Sequence, residues 1–169
     1  MNTDSALGFL RDHQPMPSDE ELSQELISSF DEVRRFFLEF PDFRAIRLLM
    51  NSFGQGDGAG VYQLVEDCFK LYPAAAVVDE LILSLNSDYA SVRYWSTQVS
   101  QLYVDCRLIE PLFKNITTVV DCDLLEATLA SLVNYDSPLV RKRLSEIVPP
   151  IRNEDFERLV SAYFEPTSR

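Results

Sequence analysis

Apolar residues recur every three or four positions along almost the whole chain, and that spacing restricts it to packed helices. Leu22, Leu26, Ile27 and Phe30 form one stripe, and Val33, Phe36, Phe37 and Phe40 the next. Phe43, Ile46, Leu49, Met50 and Phe53 follow, then Val61, Leu64, Val65, Cys68 and Leu71. Beyond them lie Val92, Trp95, Val99 and Leu102, then Leu125, Leu129 and Leu132, and finally Phe156, Val160 and Tyr163. "AAAVVDELILSLN" is apolar nearly all round, as a helix buried between neighbours would be. Pro41, Pro73 and the Pro149–Pro150 pair end helical runs, and Ser18 with Glu21 has the form of a capping box. Pro111 sits in the first turn of its helix or kinks it. The only β-branched stretch, "TTVVDC", is too short to build a sheet. The spacing predicts an all-α fold of about ten helices. With 169 residues a sizeable core can be buried, and one domain over 18–165 is expected, preceded by a loosely ordered lead-in over 1–17.

Three helices begin alike. "DFRAIR", "DYASVR" and "DSPLVR" each carry an aspartate, a β-branched residue four positions on, and then arginine. The junction residues are Asp42 and Arg47, Asp88 and Arg93, and Asp136 and Arg141, with the aspartates 46 and 48 positions apart. An aspartate at a helix N-terminus caps free N–H groups and faces the positive end of the dipole. The arginine is placed to tie the turn or the next unit. A helix pair cannot bury its stripe alone, so such units stack.

On these junctions, "NSDYASVRYW" and "NYDSPLVRKRL" above all, the chain resembles the HEAT and armadillo helical repeats. Pro138, two residues before Val140, fits the same pattern. The resemblance implies a right-handed α-solenoid of stacked antiparallel helices, with a unit of either two helices or three. The stretch "RLIEPLFKNITTVVDCDLLEATLASL" departs from the pattern, having no Val-Arg of its own.

Four of the five glycines lie between Gly54 and Gly60, in "FGQGDGAGVYQ". A Walker phosphate loop would end in Gly-Lys-Ser/Thr, whereas Gly60 is followed by Val61 and Tyr62. A dinucleotide fingerprint needs a preceding strand and G-x-G-x-x-G, and a calcium loop needs several carboxylates where only Asp57 stands. The segment reads as a mobile interhelical connection. His13 is the only histidine and lies in the lead-in, which leaves no core-anchored base for a nucleophile system. One histidine and Cys68, Cys106 and Cys122 do not make a zinc pattern. No catalytic residue, metal or cofactor is expected. The cysteines read as free thiols of a reducing compartment, and no basic n-region precedes an apolar core, so a cytoplasmic location is expected.

The formal net charge is −12. Residues 1–42 hold 10 acids and 3 bases, whereas residues 136–169 hold 6 of each. Such a surface repels nucleic acid and anionic lipid and speeds encounter with a basic protein. The function expected is therefore a non-enzymatic protein-binding module, an adaptor or inhibitor that holds a basic partner on a helical-repeat surface. Size and acidity are also similar to bacterial immunity proteins of HEAT-like fold, which neutralise a cognate toxin. HEAT-like DNA glycosylases and bilin lyases are a further alternative, which the charge disfavours. Self-assembly through terminal helices, at Phe156 and Phe164, is a third. The residues expected to face a partner are Asp57, Tyr62, Arg93, Tyr94, Thr97, Gln101 and Glu126.

Overall fold

The computed structural model describes residues 1–118, 121–147 and 153–164. Among these the chain is all-α, 71% helical and without a strand. The helices are α1 Thr3–Asp12, α2 Gln24–Glu39, α3 Arg44–Asn51, α4 Glu66–Phe69 and α5 Ala74–Ser84. They continue with α6 Ala90–Ser100, α7 Ile109–Thr118, α8 Cys122–Leu132, α9 Pro138–Glu146 and α10 Asn153–Phe164. Short 3-10 turns precede α4 (Tyr62–Val65) and α7 (Cys106–Leu108) and follow α8 (Val133–Tyr135). The helices do not show a HEAT repeat. The chain has two compact units, Met1–Ser96 and Thr97–Arg169.

In the first unit α1 packs on α2 and α3, α3 on α5, and α2 on α4. The stripes read from the sequence form its core: Phe30, Val33 and Phe37 of α2, Leu49 and Met50 of α3, and Val77 and Leu81 of α5 are fully buried. In the second unit α8 packs on α7 and on α10. Leu112 of α7 and Leu129 and Leu132 of α8 are fully buried there. Pro111 lies in the first turn of α7, where its missing N–H costs no hydrogen bond.

The lead-in is a correction. Residues 3–12 are helical, and Ala6, Leu7 and Leu10 are fully buried. Asn2 and Ser5 close a capping box at its start, Ser5 N–H donating to Asn2 Oδ1 at 2.9 Å and Asn2 N–H to Ser5 Oγ at 3.1 Å. Three apolar positions among polar ones make too short a stripe to read, yet they are enough to dock one face. Ser18 also differs from its reading. It caps no helix; Glu21 N–H donates to its carbonyl in a turn, and α2 starts later, with Ser23 Oγ accepting Leu26 N–H at 3.1 Å. Residues 18–22 are drawn away from helix because the Asp19 backbone N–H donates to Gln55 O at 2.9 Å.

The three similar junctions all start helices, but with different contacts. Asp42 pairs with Arg44 at 2.7 Å, while Arg47 faces Glu80 at 3.9 Å. Arg93 donates to the Ser87 carbonyl at 2.6 Å, and Ser87 Oγ accepts the Tyr89 N–H. Only Arg141 forks its own junction aspartate, Asp136, with two bonds of 2.7 Å, and there Ser137 caps the helix. Apolar register fixed the helix starts; the polar partners were settled by whatever the fold brought near.

Candidate functional site

The glycine segment is held, where the sequence suggested a mobile connection. The Asp19 carboxylate accepts the backbone N–H of Asp57 at 2.9 Å and of Gly58 at 3.0 Å. Trp95 Nε1 donates to Gly56 O at 3.0 Å, and Ser91 Oγ to Phe53 O at 2.9 Å. Within the segment, Asp57 Oδ1 accepts the Gly60 N–H at 3.2 Å. Two adjacent N–H groups thus cradle an anion, as a glycine-rich phosphate loop does. The anion is the chain's own carboxylate.

Three glycines are required by this geometry, and one of them is Gly56, whose φ is +104° and where a Cβ would run into the Asp19 carboxylate. A side chain on Gly54 would run into Pro17 O and stand 2.6 Å from Met16 O, because the segment 15–17 runs directly over it. Gly58 has φ +59°, and a Cβ there would meet the Tyr62 ring at 2.7 Å.

An aromatic cluster supports the loop from below. Tyr62 is fully buried, edge-on to Phe30 (5.8 Å), Phe53 (5.7 Å) and Trp95 (5.7 Å). Trp95 stacks on Phe53 at 5.6 Å. Burial pushes the Tyr62 phenol up to about 12, and the charges of Asp19 and Asp57 add to it. Its hydroxyl lies beside the Gly54 backbone without a hydrogen bond of good geometry.

Surface depressions flank the loop and the first turns of α2. One is lined by Asp19, Leu22, Gln24, Ile27, Asp57 and Ala59. A second lies among Ser18, Asp19, Glu20, Gln55 and Gly56. A third runs along Ile27, Asp31, Glu32, Arg35, Ala59 and Val61. Together they carry five carboxylates, Asp19, Glu20, Asp31, Glu32 and Asp57, against the single guanidinium of Arg35. That guanidinium is already paired with Asp31 at 2.7 Å. The face is acidic with apolar floor residues, and its backbone is fixed by the Asp19 and Trp95 contacts.

Of the residues expected to face a partner, Asp57 lies on this surface and is exposed. Tyr62 and Thr97 are corrections: both are fully buried and out of reach of any partner. Tyr62 lies under the loop, and Thr97 faces Asn115, whose Nδ2 donates to Thr97 Oγ1 at 3.3 Å. The α6 stripe read through Val92, Trp95 and Val99 placed Thr97 outside, but the buried face of α6 also takes in Ser96, Thr97 and Ser100. Arg93 and Tyr94 are half-buried, Tyr94 lying edge-on to Trp95 at 5.4 Å. In the second unit, Gln101 is half-buried and donates to Gln98 Oε1 at 2.8 Å. Glu126 is exposed and accepts from the Tyr163 hydroxyl at 3.1 Å. Asp19 was missed. It stands in the acidic run "SDEE", where nothing in sequence separates a latch across 38 residues from a solvated carboxylate.

His13 stacks on Phe9 at 4.3 Å with its Nδ1 at 2.8 Å from Phe9 O, a local role. Cys68 is buried, and burial pushes its thiol up to about 12. Among the described residues no group of three or more His, Cys, Asp or Glu is placed to hold a metal, and no helix is long and apolar enough to cross a membrane. Compared with family models, curated proteins and solved structures, the chain matches none.

Proposed function

We propose that the chain is a non-enzymatic protein-binding module, and that the 54–60 loop with the start of α2 receives a basic segment of a partner protein. A helical-repeat scaffold, the finer architecture expected from the sequence, suits this role because it presents side chains from successive turns on one continuous face. The observation that carries the reading is the pre-set acidic surface. Five carboxylates line it, and the loop between them is held by Asp19 and by Trp95. A loop already ordered loses little conformational entropy on binding. Asp31 is paired with Arg34 and Arg35, so the negative charge left to steer a basic partner and set specificity is carried above all by Glu20, Glu32 and Asp57.

The test is capture with the tagged full-length chain from its native lysate, at low and at high salt, with partners identified by mass spectrometry. The purified partner is then titrated against the wild type and against the variant carrying Glu20→Lys, Glu32→Lys and Asp57→Lys. A basic protein is expected, with an affinity that falls by at least tenfold in high salt and in the variant. A basic nuclease as that protein would narrow the role to toxin neutralisation. An acidic or absent partner, or equal affinity for the folded triple variant, sinks the reading.

A further inference from the structure

Two turns, one in each unit, are built alike. Asp42, Arg44 and Tyr72 in the first unit and Asp105, Arg107 and Tyr135 in the second are each 63 positions apart. In both, the arginine backbone N–H donates to the aspartate Oδ1, at 2.9 and 3.0 Å. In both, the guanidinium forks the same carboxylate, Nε to Oδ1 at 3.0 Å and Nη2 to Oδ2 at 2.7 and 2.8 Å. In both, the tyrosine hydroxyl accepts the aspartate N–H at 3.0 Å. It then donates back into the turn, to Asp42 O at 3.0 Å and to Tyr103 O at 2.9 Å.

The same offset relates features that have no part in this clasp. Helices α6 and α10 start 63 positions apart, at Ala90 and Asn153, and α5 and α9 start 64 apart. Leu49 and Leu112, and Phe69 and Leu132, are buried at matching positions, and so are the polar Ser52 and Asn115. Arg47 faces Glu80 at 3.9 Å in the first unit. At the matching positions of the second, Glu110 pairs with Arg143, whose Nη2 lies 2.8 Å from Oε2. The ion pair is kept with its polarity reversed, which is what two surfaces descended from one design would keep when only complementarity matters.

The copies differ most at the glycines. Asp42 to Tyr72 and Asp105 to Tyr135 both span 30 positions, so nothing has been inserted. The positions matching Gly54–Gly60 are 117–123, where Thr117 and Thr118 belong to α7 and Cys122 and Asp123 to α8. The first copy spends the same residues on a loop that Asp19 and Trp95 hold.

We infer that the chain is a tandem duplication of one 63-residue helical unit, and that the glycine segment is helix remodelled into a held loop in the first copy alone. Over an equal length the twin carries α7 on to Thr118 and opens α8 at Cys122, so the glycines serve something other than closure. That the remodelled loop is the contact surface rests on the partner-binding reading above; the duplication does not.

Two sets of full-length variants test it. Arg47→Glu and Glu80→Arg each lower Tm by about 1–4 °C, and together, in the polarity of the second copy, they restore it to within about 1 °C. A double variant as unstable as the two single losses combined would overturn the equivalence. In the second set, residues 53–61 are replaced by the sequence of residues 116–124, "ITTVVDCDL". Because it puts side chains at positions 54, 56 and 58, the chimera is expected to be less stable than the wild type, but to unfold cooperatively and with a stronger far-ultraviolet helical signal. If it fails to fold while the double variant is restored, the duplication holds and the remodelled-helix assignment falls. The chimera gains one acidic residue, so weaker binding of the basic protein captured above cannot come from lost negative charge. At least tenfold weaker binding is expected. Unchanged affinity overturns the loop as contact surface and leaves the binding reading standing; no captured protein at all overturns both and leaves the duplication.

Discussion

The Asp19 carboxylate closes on the backbone N–H of Gly58 at 3.0 Å, bridging 39 residues of sequence, and with the Asp57 N–H it fixes the shape of the most glycine-rich segment of the chain. One side chain between the Pro17 turn and α2 thereby decides whether residues 54–60 are a tether or a surface.

Removing that carboxylate should release the loop. Asp19→Ala loses two charge-assisted hydrogen bonds and is expected to cost about 1–3 kcal/mol, with Asp19→Asn closer to wild type because one amide oxygen still accepts. Urea unfolding gives the cost, and a shift in Trp95 fluorescence reports the loosened Gly56 contact. Unchanged stability and emission in Asp19→Ala would show that the loop holds itself.

Glycine substitutions should sort by geometry. Gly58→Ala combines φ +59° with a Cβ 2.7 Å from the Tyr62 ring and is expected to destabilise by roughly 2–4 kcal/mol. Gly8 lies inside α1 with nothing within 4 Å of an added Cβ, so Gly8→Ala should stabilise by about 0.5–1 kcal/mol. Thermal melts of the two variants moving in the same direction would contradict this description of both sites.

The two clasps should respond alike. Tyr72→Phe removes the acceptor of the Asp42 N–H and a donor to Asp42 O; Tyr135→Phe does the equivalent at Asp105 and Tyr103. Each is expected to cost about 1–3 kcal/mol, because a half-buried backbone N–H is left unpaired. Hydrogen exchange at the Asp42 and Asp105 amides should quicken in the matching variant only. A loss confined to one of the two turns would mark the other as ornamental to stability.

Acid sensitivity follows from the same turns. Hydrogen bonding to Arg44 holds the Asp42 carboxyl below its ordinary 3.8, and Arg107 does the same for Asp105 and Arg141 for Asp136. A carboxyl whose folded pKa lies below its unfolded one stabilises the fold at pH above the unfolded value, and the gain is lost as pH falls through the folded value. Stability from these pairs should therefore be full at neutral pH and drain away below about pH 4. The Asp42→Asn, Asp105→Asn, Asp136→Asn variant should lose less than wild type between neutral pH and about pH 3 in urea titrations. An identical loss would move the acid response to other carboxylates.

At the alkaline end the sign reverses. Burial pushes Tyr62 up to about 12 from its ordinary 10.0, so the fold is favoured below pH 10.0 and loses that advantage as pH climbs toward 12. Tyr62→Phe should change stability at neutral pH by less than about 1 kcal/mol, since the hydroxyl has no good hydrogen bond to lose. It should also reduce the alkaline fall, leaving the part due to Cys68, which rises from 9.0 to about 12. Guanidinium midpoints at several pH values between 8 and 12 decide it, and a fall as steep in Tyr62→Phe as in wild type would exclude this phenol as a source.

The sequence by itself determined the helices and most of what they bury. Apolar spacing such as Phe30, Val33 and Phe37 depends only on a 3.6-residue period, which is a local property of the backbone. It determined the acidity as well, since charge is additive along a chain. It did not determine the polar contacts. Asp42 chose Arg44 over Arg47, Arg93 a carbonyl over Asp88, and Asp19 two backbone N–H groups near the glycines, because each short polar side chain binds whichever partner folding brings within about 3 Å. The junctions 46 and 48 residues apart are legible as strings, and so are the aspartate, arginine and tyrosine repeated after 63, but only geometry shows that the latter form the same clasp twice. The ion pair related by the same offset survives as complementarity between Arg47 with Glu80 and Glu110 with Arg143 after the residue identities have exchanged. Tertiary structure alone shows such a relation, because only there does a pair, and not a residue, occupy a position.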